Sequence, residues 1–217
     1  KLYSKRYFDL LPVQAKAYDE LKEEFYTLLS DGTFVEAPLA IVRLLRFQQI
    51  TCGYIAAGAG EPIKLLDEKN PRMDLLMEIV EDLPNKAIIW ARYVQDINQI
   101  MEKLGDKAVR YDGSVSPEDR AEAIARFQGR RPIMENGSRT GWEDIPVEKQ
   151  AKFFVGNPHL VERLQSEDRA HRIGQQHPVN YIDIVASGTV DEHIVKALRN
   201  KFDIATQITG DTLKEWL

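Results

Sequence analysis

A chain of 217 residues with 43% apolar and 29% charged content is long enough to bury a full core and is too apolar for a disordered tail. Its net charge of −5 argues against a non-specific nucleic-acid binder, because affinity for DNA comes largely from phosphate neutralisation; a local basic strip remains open. One cysteine, Cys52, excludes an internal disulfide and suits a reducing compartment, and the four histidines lack Cys partners at metal-ligand spacing, so no metal site is expected.

No apolar run spans a bilayer and no secretory signal opens the sequence, so neither a membrane partner nor export is expected, and a cytoplasmic location is. The sequence starts mid-pattern at Lys1-Leu2-Tyr3 and reads as part of a longer protein.

Residues 1–50 read as helical. Pro12 sits near a helix start, and Val13, Ala17, Leu21, Phe25 and Leu28 follow at spacings of four and three, which predicts one apolar stripe. Ser30-Asp31-Gly32 ends it. A second helix from near Pro38 carries Leu39, Val42, Leu45 and Gln49, with Arg43 and Arg46 alongside as candidate phosphate contacts. From Cys52 to Asn70 the pattern dissolves around Gly53, Gly58, Gly60 and Pro62 into a linker or short hairpin. Asn70-Pro71 then supplies an N-cap and a Pro at the first helical position, ahead of Leu75, Leu76, Ile79, Val80 and Leu83.

Strands and helices alternate from here. Lys86–Trp90 suits a buried parallel strand, and Val94, Ile97, Met101 and Leu104 form the next helix face, closed by Gly105. Ala108–Tyr111 is a second strand. Ser116-Pro117-Glu118-Asp119 opens a helix whose expected buried face is Ala121, Ile124, Ala125 and Phe127. Residues 129–150 are polar, broken by Pro and Gly, and read as a mobile insertion. Lys152–Val155 is a third strand and Val179–Val185 a further one; Thr189-Val190-Asp191-Glu192 is a capping box opening a last helix with Ile194, Leu198 and Phe202. Repeated β-α units predict an α/β fold: a parallel sheet with helices on both faces, preceded by a helical segment.

Two stretches carry chemistry. Asp112-Gly113-Ser114 follows a strand directly, at the edge where open α/β sheets bind ligands; Gly113 lets a phosphate approach the backbone, and the Ser114 hydroxyl and amide can donate to it. A plain β-α turn is the other reading of those three residues. The second stretch is Gln165-Ser166-Glu167-Asp168-Arg169-Ala170-His171-Arg172-Ile173-Gly174-Gln175. On a helix Arg169 and Arg172, three apart, share a face, and two guanidiniums there make a fork that matches phosphate oxygens. A surface helix pairing them with Glu162, Glu167 and Asp168 is the bland alternative.

Residues 165–175 resemble motif VI of superfamily 2 helicases in its SNF2 form, QxxxRxxRxGQ. Leu44–Ile50 resembles the family's LRQI segment, Ile89–Tyr93 its motif IV, Tyr111–Ser114 with Arg120 its DGS…R segment, and Val179–Arg199 its tail. The resemblance spans roughly residues 40–202 and implies the second RecA-like lobe of an ATP-driven translocase on double-stranded DNA. It implies a RecA-like lobe over residues 69–217, led into by residues 1–68 from the first lobe. It also implies that Arg169 and Arg172 reach the γ-phosphate of ATP, with Gln165 and Asp168 orienting their helix and linking cleft to DNA. Ser114, Gly113 and Arg92 are the implied DNA contacts. The implied partners are the N-terminal RecA-like lobe of the same protein and duplex DNA.

Two departures qualify this. No GxxxxGK[ST] occurs, so the phosphate cradle and the Mg²⁺ ligand are expected on the other lobe. And only Gly156-Asn157-Pro158-His159 stands where the family has a Gly-rich motif V, a helix start and another strand. Dropping a central strand would leave backbone groups without partners, so a stretch is expected to be missing between Asn157 and Leu160, at Pro158–His159. A true deletion would instead favour a non-catalytic interaction module built on the lobe. A lobe of an RNA helicase is the other rival, disfavoured by the Arg172-Ile173-Gly174-Gln175 ending.

Overall fold

The computed structural model describes residues 2–30, 37–56, 63–135, 138–156 and 179–199, without the side chains of 24–30, 37–41 and 198–199. In chain order its elements are β1 (Leu2–Phe8), α1 (Pro12–Ser30), α2 (Ala37–Thr51), β2 (Tyr54–Ala56), β3 (Ile63–Leu65), α3 (Pro71–Asp82), β4 (Ala87–Trp90), α4 (Val94–Leu104), β5 (Ala108–Tyr111), α5 (Pro117–Gln128), β6 (Arg130–Glu135), β7 (Ser138–Asp144), β8 (Phe153–Gly156), β9 (Asn180–Ala186) and α6 (Val190–Arg199). They fall into two compact units, Lys1–Ile79 with Pro178–Leu217, and Val80–His177.

In the first unit, β1 and β9 run parallel, from Leu2 opposite Asn180 to Phe8 opposite Ala186, with Tyr3 stacked on Tyr181 at 4.9 Å. The residues ahead of Pro12 were expected to be helical; they are a strand because their partner lies at the far end of the chain. Tyr18, Leu44, Phe47, Ile50, Val190 and Ile194 make the core of α1, α2 and α6. Of the expected stripe on α1, Ala17 and Leu21 pack against this core, partly buried; other positions differ. Val13 is 38% exposed and Val42 is exposed, whereas Gln14 and Tyr18 are buried. Gln14 can face inward because both ends of its amide are used: Oε1 accepts from Leu11 N at 3.0 Å and Nε2 donates to Ile50 O at 2.8 Å. The Tyr18 hydroxyl likewise accepts from Val190 N at 2.9 Å. Arg46, a candidate phosphate contact, donates to Gln49 at 2.9 Å within its own helix.

Local signals held at the helix starts. Asn70 Oδ1 accepts from Met73 N at 3.2 Å, and Ser116 Oγ from Asp119 N at 3.1 Å. At α6 the reciprocal cap is offset by one residue: Glu192 Oε1 accepts from Gly188 N, while Thr189 Oγ1 accepts from Asp191 N. Gly53–Asn70 contains the short antiparallel pair β2–β3.

In the second unit β4, β8 and β5 form a parallel sheet in that order. β8 is central, which is why Phe153, Phe154, Val155 and Gly156 are all buried. Phe154 packs with Val109, Ala123 and Ala151, ringed by Trp90, Tyr111 and Phe127. On α4, Ile97, Ile100 and Leu104 are buried, and Val94 is exposed against expectation. On α5, Ala123 and Ala125 are buried while Ile124 is exposed. The crossover from β4 to β5 passes β8 in one direction and the crossover from β5 to β8 returns in the other. The right-handed rule for parallel connections expects α4 and α5 on opposite faces, and strands alternate with helices around a parallel sheet as the α/β reading expects.

Residues 129–150, read as a mobile insertion, contain the antiparallel hairpin β6–β7 with a bulge between Ile133 and Met134. The expected discontinuity at Pro158–His159 lies outside the described residues.

Candidate functional site

The carboxyl edge of the β4-β8-β5 sheet gathers the sequence's candidate DNA contacts. Trp90 and Tyr111 both lie opposite Gly156 in register, so the turns leaving β4 and β5 flank the end of β8. Gly156 permits this closeness: a Cβ there would stand 2.8 Å from Tyr111 O and 2.9 Å from the Trp90 ring. Arg92, exposed on the turn after β4, lies 5.9 Å over the Tyr93 ring.

The turn after β5 is built around Asp112. Arg110 Nε and Nη2 both donate to Asp112 Oδ2 at 2.7 Å. The Ser114 amide and hydroxyl donate to Asp112 Oδ1 at 2.8 and 2.6 Å. Arg120 reaches back from α5, its Nη2 donating to Asp112 O at 3.0 Å and its guanidinium 5.7 Å over the Tyr111 ring. Burial by itself would push the Asp112 carboxyl up. The hydrogen bonds from Arg110 and Ser114, with the charge of Arg110, outweigh it and hold the carboxyl below its ordinary value. Asp112 is therefore ionised at neutral pH and organises the turn from within.

This changes what Ser114 offers. Both donors expected to meet a phosphate are spent on Asp112, so Ser114 shapes the turn first. The plain β-α turn weighed for these residues is therefore present, as an Asx-type turn closed by Asp112; the fork from Arg110 needs the strand's own geometry. Gly113 is exposed, and a Cβ added there would meet nothing within 4 Å. Among the described residues nothing requires a glycine at 113. We expect Gly113→Ala to leave the melting temperature unchanged to within about 2 °C, and to weaken duplex binding if a phosphate sits against this backbone. Thermal melting and a DNA titration of the same sample separate the two effects.

Gln165, Asp168, Arg169 and Arg172 lie outside the described residues. Arg92, Gly113 and Ser114 are thus brought to one edge, and the expected nucleotide-contacting residues are placed only by sequence.

No family model matches the chain. It is 29% identical, over 62% of its length and 15% of the relative's, to SWI/SNF-related matrix-associated actin-dependent regulator of chromatin subfamily A-like protein 1 of Xenopus tropicalis. It is 28% identical, over 95% of its length and 18% of the relative's, to DNA annealing helicase and endonuclease ZRANB3 of Mus musculus. The chain thus spans less than a fifth of either relative. Its fold matches the Sulfolobus solfataricus SWI2/SNF2 ATPase C-terminal domain with a TM-score of 0.64, at 18% identity, over 100% of this chain and 97% of that one. The core of that ATPase in complex with double-stranded DNA matches with a TM-score of 0.65, at 21% identity, over 100% of this chain and 50% of that one.

Proposed function

We propose that this chain, related in sequence to the SNF2-family helicases and folded as their C-terminal RecA-like lobe, is the second motor lobe of an ATP-dependent translocase on double-stranded DNA. In this reading residues 1–68 lead in from the first lobe and residues 69–217 form the second. One observation carries the catalytic part: the eleven-residue run Gln165–Gln175, with Arg169 and Arg172 in register with motif VI.

ATP with Mg²⁺, held mainly by the first lobe, supplies the phosphoryl group that is transferred to water. Arg169 and Arg172 place two fixed positive charges where charge spreads over the γ-phosphoryl oxygens in the transition state; guanidiniums fit that role because they stay protonated and present paired donors. A finger of this kind contributes on the order of 10³–10⁵ in rate in trans-acting examples. Gln165 and Asp168 hold the finger helix and connect it to the DNA side. The carboxyl edge of the sheet touches the DNA backbone, through Arg92 and the Gly113 backbone ahead of Ser114. Closing and opening of the two lobes around nucleotide then moves one DNA grip past the other. No helix among the described residues is long and apolar enough to cross a membrane.

The purified chain on its own is expected to bind ATP poorly and to hydrolyse it at background rate, with or without duplex DNA, because it brings fingers and no phosphate cradle. Robust DNA-stimulated hydrolysis by this chain alone would overturn the two-lobe reading.

A further inference from the structure

The hairpin β6–β7 is not used by the motor described above. It stands at the amino edge of the parallel sheet, because α5 runs back from the carboxyl edge before the chain enters Arg130, and β8 begins after the hairpin ends. Its base is fixed. Gly129 caps α5 with φ +82°, Ile145 N donates to Gly129 O at 2.8 Å, and Gln150 Nε2 donates to Ile145 O at 2.8 Å.

The two faces of the hairpin differ in charge. On one, Arg131 lies 3.5 Å from Glu122 of α5 and 4.0 Å from Glu143. On the other, Trp142 is held between two arginines: Arg130 Cζ is 4.6 Å and Arg139 Cζ 5.1 Å from its ring centroid. The register fixes their order. Arg130 lies opposite Asp144 on the base side, Trp142 opposite Pro132, and Arg139 opposite Met134 on the tip side. Trp142 is 44% exposed and Met134 57%. Among the described residues neither Arg130 nor Arg139 is within ion-pair distance of a carboxylate, although Asp144 shares their face.

We propose that the Arg130–Trp142–Arg139 face binds the phosphate backbone of nucleic acid, at a site separate from the carboxyl edge. Stacking on an indole holds a guanidinium flat and leaves its N–H edge free, so each arginine is already oriented before an anion arrives. With both guanidiniums within about 5 Å of the ring centroid, phosphate recognition through their N–H edges is the mode of contact rather than base stacking on the indole. Two cations with no ion pair among the described residues, in a chain of net charge −5, form the local basic strip that backbone binding needs. Nucleic acid is taken as the polyanion on the strength of the motor reading; an acidic protein segment is the competing occupant.

The test is a salt titration of the full-length protein without nucleotide, read by anisotropy of a fluorescein-labelled mixed-sequence duplex between about 50 and 200 mM salt. The double variant Arg130→Gln/Arg139→Gln should bind on the order of tenfold more weakly, and its slope of log K against log salt should be shallower by about 1.8, or about 0.9 for each phosphate no longer neutralised. Trp142→Ala keeps both charges and loosens their orientation, so it should lose affinity with little change in slope. Parental affinity and slope in a double variant that melts like the parent would overturn the proposal. So would a double variant that keeps duplex binding but loses binding of a poly-glutamate peptide, which would assign the face to an acidic protein partner. Because nucleotide is absent, the slope stands or falls independently of the finger assignment, which Arg172→Ala tests by hydrolysis.

Discussion

Replacing Arg172 by Ala in the full-length protein should raise the barrier to ATP hydrolysis by roughly 2–4 kcal/mol, a fall of about 30- to 900-fold in kcat. Affinity for duplex DNA without nucleotide should change little, because in the proposed role the guanidinium serves a charge that exists only as the phosphoryl group transfers. Arg169→Ala should behave alike. Arg172→Lys keeps the charge but loses the planar fork, so it should recover only part of the rate. Parental hydrolysis by both Ala variants would make the two arginines structural, and the motif VI assignment would fail.

The second large effect belongs to a buried ion pair that the sequence did not advertise. Arg72, in the first turn of α3, forms an ion pair with Asp191 at the start of α6. Its Nε also donates to Thr51 O at 3.2 Å and its Nη2 to Thr51 Oγ1 at 3.0 Å, while its Cζ sits 5.2 Å over the Phe8 ring. Asp191 further accepts from Thr51 Oγ1 and Ala186 N, each at 3.3 Å. One guanidinium therefore ties β1, α2 and α6 to α3. Arg72→Ala leaves the Asp191 carboxylate buried with two neutral donors, which should cost about 3 kcal/mol. For a chain of this size that is a fall of roughly 6–12 °C in melting temperature. Asp191→Ala should cost a similar amount, and the double variant clearly less than the sum, because each single change leaves the other residue without its partner. A loss below about 1 kcal/mol for Arg72→Ala would show the pair to be incidental.

What could be read in advance was local. Asn70-Pro71, Ser116-Pro117 and Thr189–Glu192 each mark a helix start by chemistry confined to a few residues, and the structure places helices at all three. The short apolar strands of the parallel sheet were legible for the same reason. What escaped depends on distant partners. Leu2–Phe8 is a strand because Asn180–Ala186 lies beside it, and nothing within those seven residues says so. Gln14 is buried because Leu11 and Ile50 take both ends of its amide, which no hydrophobic periodicity registers. The hairpin was hidden because its strands carry arginines and acids on faces that only the register separates. At the candidate site, the position of Asp112–Ser114 at a strand's carboxyl end was readable, but the inward aim of Ser114 came from the Asp112 bonds. The arginine pair at 169 and 172 rests on its resemblance to motif VI.

Displacement of the third strand of a triplex by the full-length protein tests most directly whether this lobe belongs to a duplex translocase. A third strand is held only by Hoogsteen pairs in the major groove, so a motor that travels along the duplex strips it off without separating the two Watson–Crick strands. The account predicts ATP-dependent displacement by the parent protein and its loss in Arg172→Ala at unchanged duplex affinity. Failure of the parent to displace the strand while it hydrolyses ATP in response to duplex DNA would contradict the translocase reading, as would displacement that survives in the Arg172 variant.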